Sequence, residues 1–283
     1  SILMNDFPER VVLELTPLCN LSCLMCPRHY IKDTDGFIDV SLYKKLVDEI
    51  SIASPNAVVL PFWRGESCMH PNFYELVNYT LEKGLRVHLS TNGHYMSDEF
   101  MKIFYRCEFI TFSIHDNRGY KNAIKFINNK SRNDRCTIQV SFVDIEKTTQ
   151  KFLKECSTSA DLRGFDSIRL YHEHTINGEF GKSSTKSSQN RIFCPKLKHT
   201  FVVSADGQYS RCNHIWKPEV KNNLYKLTIR EIWNGDRMNE IRTQYPDNKC
   251  TPCNQWSGRT NGEVWKKLQD NRIIHTIMGN GDG

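Results

Sequence analysis

Eleven cysteines, unevenly spaced, are the most informative chemical feature of this 283-residue chain. Three lie within eight positions in the segment CNLSCLMC, four lie in the last third of the chain, and four are isolated. The three groups are Cys19, Cys23 and Cys26; Cys194, Cys212, Cys250 and Cys253; and Cys68, Cys107, Cys136 and Cys156. Thiolates are good ligands for zinc and iron, so the two clustered groups predict two metal centres. The isolated cysteines other than Cys68 are predicted to be small core residues.

The early group has no fourth cysteine nearby, although a structural zinc site normally has four protein ligands. His29 is the residue that could complete such a zinc site. A Cys-x3-Cys-x2-Cys loop can instead hold three corners of a cubane iron–sulfur cluster. The fourth iron is then open to a small-molecule ligand, and we favour this interpretation.

The late group contains a Cys-x2-Cys pair, Cys250 and Cys253, and two distant cysteines. This arrangement is compatible with a zinc ribbon and, taken alone, would favour zinc. Four cysteines can also ligate every iron of a cubane cluster and leave none open to a substrate.

Short apolar runs alternate with amphipathic stretches between residues 10 and 171. The predicted strands cover 10–15, 57–62, 85–90, 109–114, 136–143 and 167–171, and the predicted helices cover 41–52, 72–83, 97–106, 118–129 and 147–159. Ser41 and Ser97 are the predicted N-caps. Strands separated by single helices indicate an α/β fold with a parallel sheet, here a partial barrel of six β/α units. Chemistry in such folds lies at the carboxyl ends of the strands, so the three-cysteine loop is expected there.

The later part of the chain follows a different pattern. The barrel is predicted over 1–177, a linker over 178–193, and a small metal-binding domain with a tail over 194–283. The linker contains GEFGKSSTKSSQN, and the small domain is expected to begin with a hairpin that turns at Asp206-Gly207. A helix is predicted within 228–245, with an interruption near Asn234-Gly235.

The cysteine loop after a first barrel strand resembles the signature of the radical S-adenosylmethionine (SAM) enzymes. The resemblance implies that the amino and carboxylate groups of SAM chelate the open iron of a [4Fe–4S] cluster. The segment WRGESCMHP is similar to the family's Gly-Gly-Glu-Pro motif, which contacts the SAM amino group. Gly65 and Glu66 match that motif, whereas Arg64 and Ser67 differ from it.

Further segments resemble family positions around SAM, namely STNG at 90–93 and SIHD at 113–116. Met25 stands where the family usually has an aromatic residue. The cofactor contacts implied by the resemblance are Met25, Gly65, Glu66, Ser90, Thr91, Asn92, Gly93 and Ser113.

With a SAM cluster implied, the late cysteines resemble the twitch domain, a shortened SPASM domain that binds one auxiliary [4Fe–4S] cluster. A closed auxiliary cluster is suited to electron relay. The combination resembles the 2-deoxy-scyllo-inosamine dehydrogenase type of radical SAM enzyme. The resemblance implies two [4Fe–4S] clusters, SAM, and a flavodoxin- or ferredoxin-type electron donor.

The function expected from this resemblance is oxidation of a hydroxyl-bearing carbon by two electrons. A 5′-deoxyadenosyl radical removes hydrogen from a small polar substrate such as a sugar or cyclitol, and the auxiliary cluster accepts an electron. The candidate catalytic and substrate-contacting residues are Cys68, His115, Arg169 and Tyr171. Three alternatives stay open: an epimerase in which Cys68 returns hydrogen, a peptide-modifying maturase, and a non-enzymatic iron–sulfur or zinc-binding protein.

Net charge and hydropathy limit the kinds of partner and the location that are expected for this protein. Lys and Arg total 38 and Asp and Glu total 32, which gives a net charge of +6 without a dense basic block. Nucleic-acid binding is therefore not expected. The chain has neither an apolar run long enough to span a membrane nor a signal sequence at its start, so a cytoplasmic location is expected.

Overall fold

A computed structural model describes residues 4–23, 26–31, 36–144, 151, 155–156, 162, 164–172, 193–219, 223–251, 253, 263–267 and 273–277. They divide into two compact units. The first contains described residues of 1–22, 26–88 and 175–258, and the second contains those of 23–25, 89–174 and 259–283.

The described elements have the following bounds. The strands are β1 (Arg10–Leu13), β2 (Val58–Leu60), β3 (Arg86–Thr91), β4 (Phe109–Ile114), β5 (Thr137–Asp144), β6 (Ser167–His172), β7 (Thr200–Val203), β8 (Tyr209–Ser210), β9 (Glu263–Lys267) and β10 (Ile273–Ile277). The helices are α1 (Val40–Ala53), α2 (Phe73–Glu82), α3 (Asp98–Arg106), α4 (Asn117–Asn128), α5 (Pro195–His199), α6 (Ile229–Trp233) and α7 (Asp236–Thr243).

In the first unit, β1 is a central strand with parallel neighbours on both sides. It pairs with β2 in the register Arg10↔Val58 and with β7 in the register Arg10↔Thr200. β2 continues in parallel to β3, and β8 closes the other edge as the antiparallel partner of β7. Residues 11–13 of β1 are buried, as expected for a strand that is covered on both faces. The hairpin of the C-terminal segment therefore extends the sheet that β1 begins.

In the second unit, β4, β5, β6 and β10 are consecutive parallel strands, and β9 is antiparallel to β10. Side chains along β4 and β5 alternate between a buried apolar face and a polar face. Ile110, Phe112 and Ile138 are fully buried on one face, whereas Thr111 and Gln139 are joined on the other by a hydrogen bond of 3.2 Å. The second face thus carries a row of polar groups.

The structure confirms the α/β class and the parallel pairing. All six predicted strands are present with ends within two residues of the prediction, and four of the five predicted helices agree within one residue. The turn at Asp206-Gly207 and the break in the late helix near Asn234-Gly235 are also confirmed.

One predicted helix cap is right and one is wrong. The Ser97 hydroxyl accepts a hydrogen bond from the Phe100 N–H at the start of α3. At α1, however, the N-cap is Asp39, and Ser41 is an exposed residue inside the helix. The reason is tertiary, because the Ile38 N–H donates to the Leu15 carbonyl (2.9 Å), which keeps the chain extended until residue 39.

Other predictions fall outside the described residues. The helix at 147–159 is described only at 151 and 155–156, and residues 178–192 of the predicted linker are not described. The domain boundaries stay predictions. Strands β9 and β10 lie in the part of the chain that was predicted only as a tail. No helix in the described part of the chain has the length and apolar character needed to cross a membrane.

Candidate active site

The three-cysteine loop starts directly after β1, as predicted, and Thr16 fixes its beginning. The Thr16 hydroxyl accepts a hydrogen bond from the Leu18 N–H (3.1 Å) and donates one to the Gly36 carbonyl (2.6 Å). Cys19 follows immediately and is half-buried. A side chain at the carboxyl end of a parallel strand thus sets where the first thiol lies.

Arg28 holds the same loop and was not identified from the sequence. Its Nε donates to the Pro17 carbonyl (2.8 Å), and its Nη1 lies 3.5 Å from the Leu21 carbonyl. These contacts lie on both sides of Cys19. Burial raises the pKa of the Cys26 thiol, and the backbone N–H and charge of Arg28 offset part of this rise. The signal in the sequence was a cation two residues after the third cysteine.

Glu66 lies beside the first cysteine. Burial raises the pKa of the Cys19 thiol, and the Glu66 carboxylate raises it further. Glu66 is 3% exposed, and its Oε1 accepts a hydrogen bond from the Cys68 N–H (3.2 Å). Its own N–H donates to the Leu18 carbonyl at 2.8 Å. The carboxylate is therefore next to the cysteine loop, where the resemblance places the SAM amino group.

Gly65 is required by close packing of the two loops. A Cβ atom at this position would lie 2.3 Å from the Leu18 carbonyl oxygen and 2.4 Å from that of Thr16. Both neighbours are backbone atoms that cannot rotate away. The glycine thus lets the WRGES segment lie directly against the cysteine loop.

Arg64, where the family motif has glycine, has a defined structural partner. Its Nε lies 2.7 Å from Oε2 of Glu14, and its Nη2 lies 2.7 Å from Oε1. Glu14 is 0% exposed and Arg64 is 8% exposed, so the ion pair is buried. Glu14 was also missed from the sequence. Its signal was a single acid in the otherwise apolar run VVLEL.

Arg64 and Trp63 also hold the segment that follows Cys212. Arg64 Nη1 donates to the Trp216 carbonyl (2.9 Å), and Trp63 Nε1 donates to the Asn213 carbonyl (2.8 Å). The guanidinium lies over the Trp63 ring, 4.4 Å from its centroid. The segment predicted to contact SAM is thus joined to a segment that carries a late cysteine.

In the second unit, a row of serines runs across three parallel strands. The Ser90 and Ser113 hydroxyls are 3.3 Å apart, and those of Ser113 and Ser141 are 3.2 Å apart. Arg169 is the register partner of Ser141 on β6 and is half-buried. Tyr171 lies two residues further along β6, and its side chain is outside the described part. Three predicted residues, Ser90, Ser113 and Arg169, therefore belong to one polar row.

The STNG segment ends β3 in a turn held by its own side chains. The Thr91 hydroxyl accepts a hydrogen bond from the Gly93 N–H (3.2 Å), and Asn92 Oδ1 accepts one from the His94 N–H (3.0 Å). Gly93 has φ of 78°, a conformation that favours glycine. His94 Nε2 lies 2.8 Å from Asp116, which follows β4. The carboxyl ends of β3 and β4 are therefore linked.

His115 is the half-buried neighbour of that pair. Burial lowers the pKa of His115, and the charge of His94 acts in the same direction, while Asp116 acts against it. A lowered pKa favours the neutral imidazole, which is the form that can accept a proton. In Asp116, burial acts to raise the pKa, but hydrogen bonds from the Gly119 N–H and His94 lower it. Asp116 is thus a stable carboxylate beside two imidazoles.

The four late cysteines lie in the first unit. Burial raises the pKa of the Cys212 thiol to about 12, and interactions with Cys194 and Cys253 add to this rise. The Cys253 N–H donates to the Cys250 carbonyl (3.0 Å), so these two residues form one tight turn. Cys194 precedes the short helix α5. Cysteines that are up to 59 positions apart in sequence are therefore near one another.

The residue types of both cysteine groups fit iron–sulfur clusters, because thiolates are the ligands that hold such clusters. Four zinc ligands must all lie about 2.0–2.3 Å from one point. A cubane offers a separate iron to each thiolate. His29, the alternative zinc ligand, is exposed.

The isolated cysteines are buried, as predicted for three of them. Cys107, Cys136 and Cys156 are 2%, 1% and 6% exposed, and Cys68 is 4% exposed. Cys68 differs in its position, because it lies in a short 3-10 turn directly after Glu66. Met25 is outside the described residues.

Comparison with family models gives two matches, one around each cysteine group. The radical SAM superfamily model matches residues 13–137, which include the three early cysteines. The chain therefore contains a radical SAM domain. A model of the SPASM iron–sulfur cluster-binding domain matches residues 194–254, which include all four late cysteines. The chain thus matches a radical SAM domain and a SPASM-type domain, and the two matches together include all seven clustered cysteines.

Solved structures share the fold at low sequence identity. BtrN in complex with AdoMet and 2-DOIA aligns with a TM-score of 0.63 and 15% identity, covering 95% of this chain and 100% of BtrN. Streptococcus suis SuiB bound to its precursor peptide SuiA aligns with a TM-score of 0.64 and 12% identity, covering 92% of this chain and 72% of SuiB.

A curated relative is the tungsten-containing aldehyde ferredoxin oxidoreductase cofactor-modifying protein of Pyrococcus furiosus. It is 32% identical over 90 residues, which cover 32% of this chain and 25% of the relative. The match thus spans about a quarter of that relative's length. In this chain, the radical SAM match implies a SAM-ligating [4Fe–4S] cluster, and the SPASM match implies an auxiliary iron–sulfur cluster.

The buried Glu14–Arg64 pair predicts a strong coupling in stability. Glu14→Gln and Arg64→Met should each lower the free energy of unfolding by about 3–5 kcal/mol, because each leaves one buried charge without its partner. The double variant should lose much less than the sum. Urea unfolding of the metal-free protein, followed by circular dichroism, measures the three values.

The exposed pair of Lys44 and Glu75, 2.6 Å apart, is the matched control. The same cycle with Lys44→Met and Glu75→Gln should give a coupling of about 0–1 kcal/mol. Additive losses at Glu14 and Arg64 would show that the two charges do not depend on each other.

Proposed function

We propose that this protein is a radical SAM oxidoreductase that oxidises a hydroxyl-bearing carbon of a small polar substrate by two electrons. The observation that carries the proposal is the late cysteine group. Cys212 is near Cys194 and Cys253, and Cys253 shares a turn with Cys250. Four protein thiols can ligate one [4Fe–4S] cluster completely. A cluster with no open iron is suited to accepting an electron rather than to binding substrate.

Each group of residues has a proposed role in this reaction. When bound, SAM and its cluster supply a 5′-deoxyadenosyl radical that takes a hydrogen atom from the substrate. Cys19, Cys23 and Cys26 hold that cluster, and the Glu66 carboxylate accepts a charge-assisted hydrogen bond from the SAM amino group. Arg28 keeps the cysteine loop in place. The other proposed SAM contacts are Met25, Gly65, Ser90, Thr91, Asn92, Gly93 and Ser113.

The substrate must then lose one proton and one electron to form a carbonyl. His115 is the proposed proton acceptor, because burial lowers its pKa and so favours the neutral imidazole that can take a proton. Arg169 and Tyr171 are proposed substrate contacts. An auxiliary cluster held by the four late cysteines would accept the electron. A flavodoxin- or ferredoxin-type protein is the proposed source of the electron that starts each turnover.

Two of the comparisons bear on the choice of substrate. BtrN, whose whole length aligns with this chain, was solved with AdoMet and 2-DOIA. This supports a small-molecule substrate for this chain. SuiB, solved with its precursor peptide, aligns over 72% of its length and supports peptide modification as the second candidate. Epimerisation is the third, because Cys68 lies two residues after Glu66 and carries a thiol that could return hydrogen.

The first prediction from the proposed function concerns the iron content. Anaerobic reconstitution should give about eight irons and eight sulfides per chain, which corresponds to two cubanes. Replacing Cys19, Cys23 and Cys26 together by Ala should leave about four irons and abolish SAM cleavage. Iron and zinc are measured by mass spectrometry of the purified protein.

Cys107→Ala is the matched control, since it removes a buried thiol outside both groups and should keep all eight or so irons. Zinc bound by the late cysteines, with only about four irons in the parent protein, would contradict the proposed auxiliary cluster.

The second prediction concerns SAM. Glu66→Gln should weaken SAM binding about tenfold or more, because it removes the charge from a hydrogen bond to an ammonium group. Equilibrium dialysis with labelled SAM measures the dissociation constant. Glu75→Gln, an exposed carboxylate paired with Lys44, is the control and should leave it unchanged. Equal affinities for both variants would remove Glu66 from the site.

The third prediction separates oxidation from the two alternatives. The protein is incubated with SAM and reductant in heavy water, with 2-DOIA as the small-molecule probe and SuiA as the peptide probe. Oxidation yields one 5′-deoxyadenosine per product and a product lighter by two hydrogens. Epimerisation yields a product of unchanged chemical composition that carries one solvent deuterium on carbon.

Cys68→Ala should leave the oxidation intact, as should Cys107→Ala. Deuterium incorporation that is lost in Cys68→Ala alone would favour an epimerase. A modified SuiA with unmodified 2-DOIA would favour a maturase.

A further inference from the structure

Arg211 lies at the late cysteine site and has no role in the chemistry described so far. It is fully buried, with 1% of its surface exposed, and it directly precedes Cys212. Its Nη1 lies 3.9 Å from Sγ of Cys250. One guanidinium is therefore next to one late cysteine in sequence and in contact with another in space.

Two carboxylates fix the orientation of this guanidinium. Nε of Arg211 donates to Oε1 of Glu219 (2.6 Å), and Nη1 donates to Oδ2 of Asp247 (2.5 Å). Both are charge-assisted hydrogen bonds, and a guanidinium keeps its proton in proteins, so Arg211 carries a permanent positive charge. The side chain of Glu219 is 3% exposed and that of Asp247 is 18% exposed.

Asp247 also shapes the turn that carries Cys250. Its Oδ1 accepts hydrogen bonds from the N–H groups of Lys249 and Cys250, both at 3.1 Å. The carboxylate is therefore close to the same thiol that Arg211 contacts. A cation and an anion thus lie beside Cys250, within a buried network.

Glu219 receives further cations from the solvent side. Arg237 Nη2 lies 3.3 Å and Lys249 Nζ lies 3.5 Å from its Oε2, and these two side chains are 46% and 41% exposed. Their charges are screened by water, whereas that of Arg211 is not. Among the cations of this network, Arg211 is therefore the one whose electric field at the cysteines is least screened by water.

We propose that Arg211 and Asp247 set the reduction potential of the auxiliary cluster, in opposite directions. The inference rests on the proposed function, since it requires a cluster on Cys194, Cys212, Cys250 and Cys253. A cluster gains one negative charge when it is reduced. The Arg211 guanidinium stabilises that charge and raises the potential, whereas the Asp247 carboxylate opposes it. Arg211 is thus a positioning residue that acts through Cys250 and makes the cluster a better electron acceptor.

The test is a potentiometric titration followed by electron paramagnetic resonance. It uses the full chain with Cys19, Cys23 and Cys26 replaced by Ala, so that the signal comes from the auxiliary cluster alone. In this background, Arg211→Gln should lower the midpoint potential and Asp247→Asn should raise it. We expect each to change the reduction equilibrium at least about tenfold, which is about 59 mV for one electron.

Two further variants make the outcome decisive. Arg237→Gln removes the same charge from the exposed side of Glu219 and should change the equilibrium much less. Arg211→Lys keeps the charge and should stay close to the parent potential. If Arg211→Gln fails to assemble a cluster, Arg211→Lys and Asp247→Asn carry the test.

Shifts in the same direction for Arg211→Gln and Asp247→Asn, or no shift in either, would overturn the inference and leave a structural role only. If Arg211→Gln yields no cluster, an Asp247→Asn potential at or below that of the parent would overturn it as well. Fewer than about four irons in the triple-Ala background would instead contradict the auxiliary cluster itself. The failure of the inference and that of the proposed function therefore give different results.

Discussion

The buried carboxylate of Glu14 is the constraint around which the first unit is organised. An ionised carboxylate without water is very unfavourable unless charged or polar groups surround it. Arg64 donates two side-chain hydrogen bonds and one from its backbone N–H (3.2 Å), and the Ala205 N–H adds a fourth at 3.0 Å. Three segments far apart in sequence must therefore meet at the carboxyl end of β1. These are the strand end, the WRGES segment and the hairpin turn of the C-terminal segment.

This meeting point explains the position of the cofactor-binding residues. Once Arg64 is held by Glu14, the next residue, Gly65, lies against the backbone of residues 16 and 18. Glu66 then lies beside Cys19. Arg64 also binds the Trp216 carbonyl, which holds the segment after Cys212. One ion pair thus positions both a proposed SAM contact and a ligand of the proposed auxiliary cluster.

The two cysteine groups have different electrostatic surroundings. Arg28 contacts the backbone around Cys19. It also partly offsets the rise that burial causes in the pKa of the Cys26 thiol. At the late group, a buried network with both signs of charge surrounds Cys250. This difference agrees with the proposed roles. The first group leaves an iron for SAM, whereas the second needs a potential that suits an electron acceptor.

The sequence by itself determined the elements and the cysteine groups. The alternation of apolar runs with amphipathic stretches predicted six strands and their parallel order, because periodicity is a local property. The cysteine spacing predicted the cluster loop, and the resemblance of the segment around Gly65 and Glu66 to a family motif predicted a second loop at the same site. Ser97 was recognised as a cap because its partner, Phe100, is three residues away.

Only the tertiary structure decided which residues support these groups. In the sequence, Arg64 is only a difference from the family motif. The structure shows its partner, Glu14, which lies 50 positions earlier in the chain. Arg211 and Asp247 are 36 positions apart, and β7 joins β1 across most of the chain. Ser41 failed as a cap because a hydrogen bond from Ile38 to Leu15 sets where α1 begins. Burial and pairing of charges depend on partners that are distant in sequence, and no local pattern encodes them.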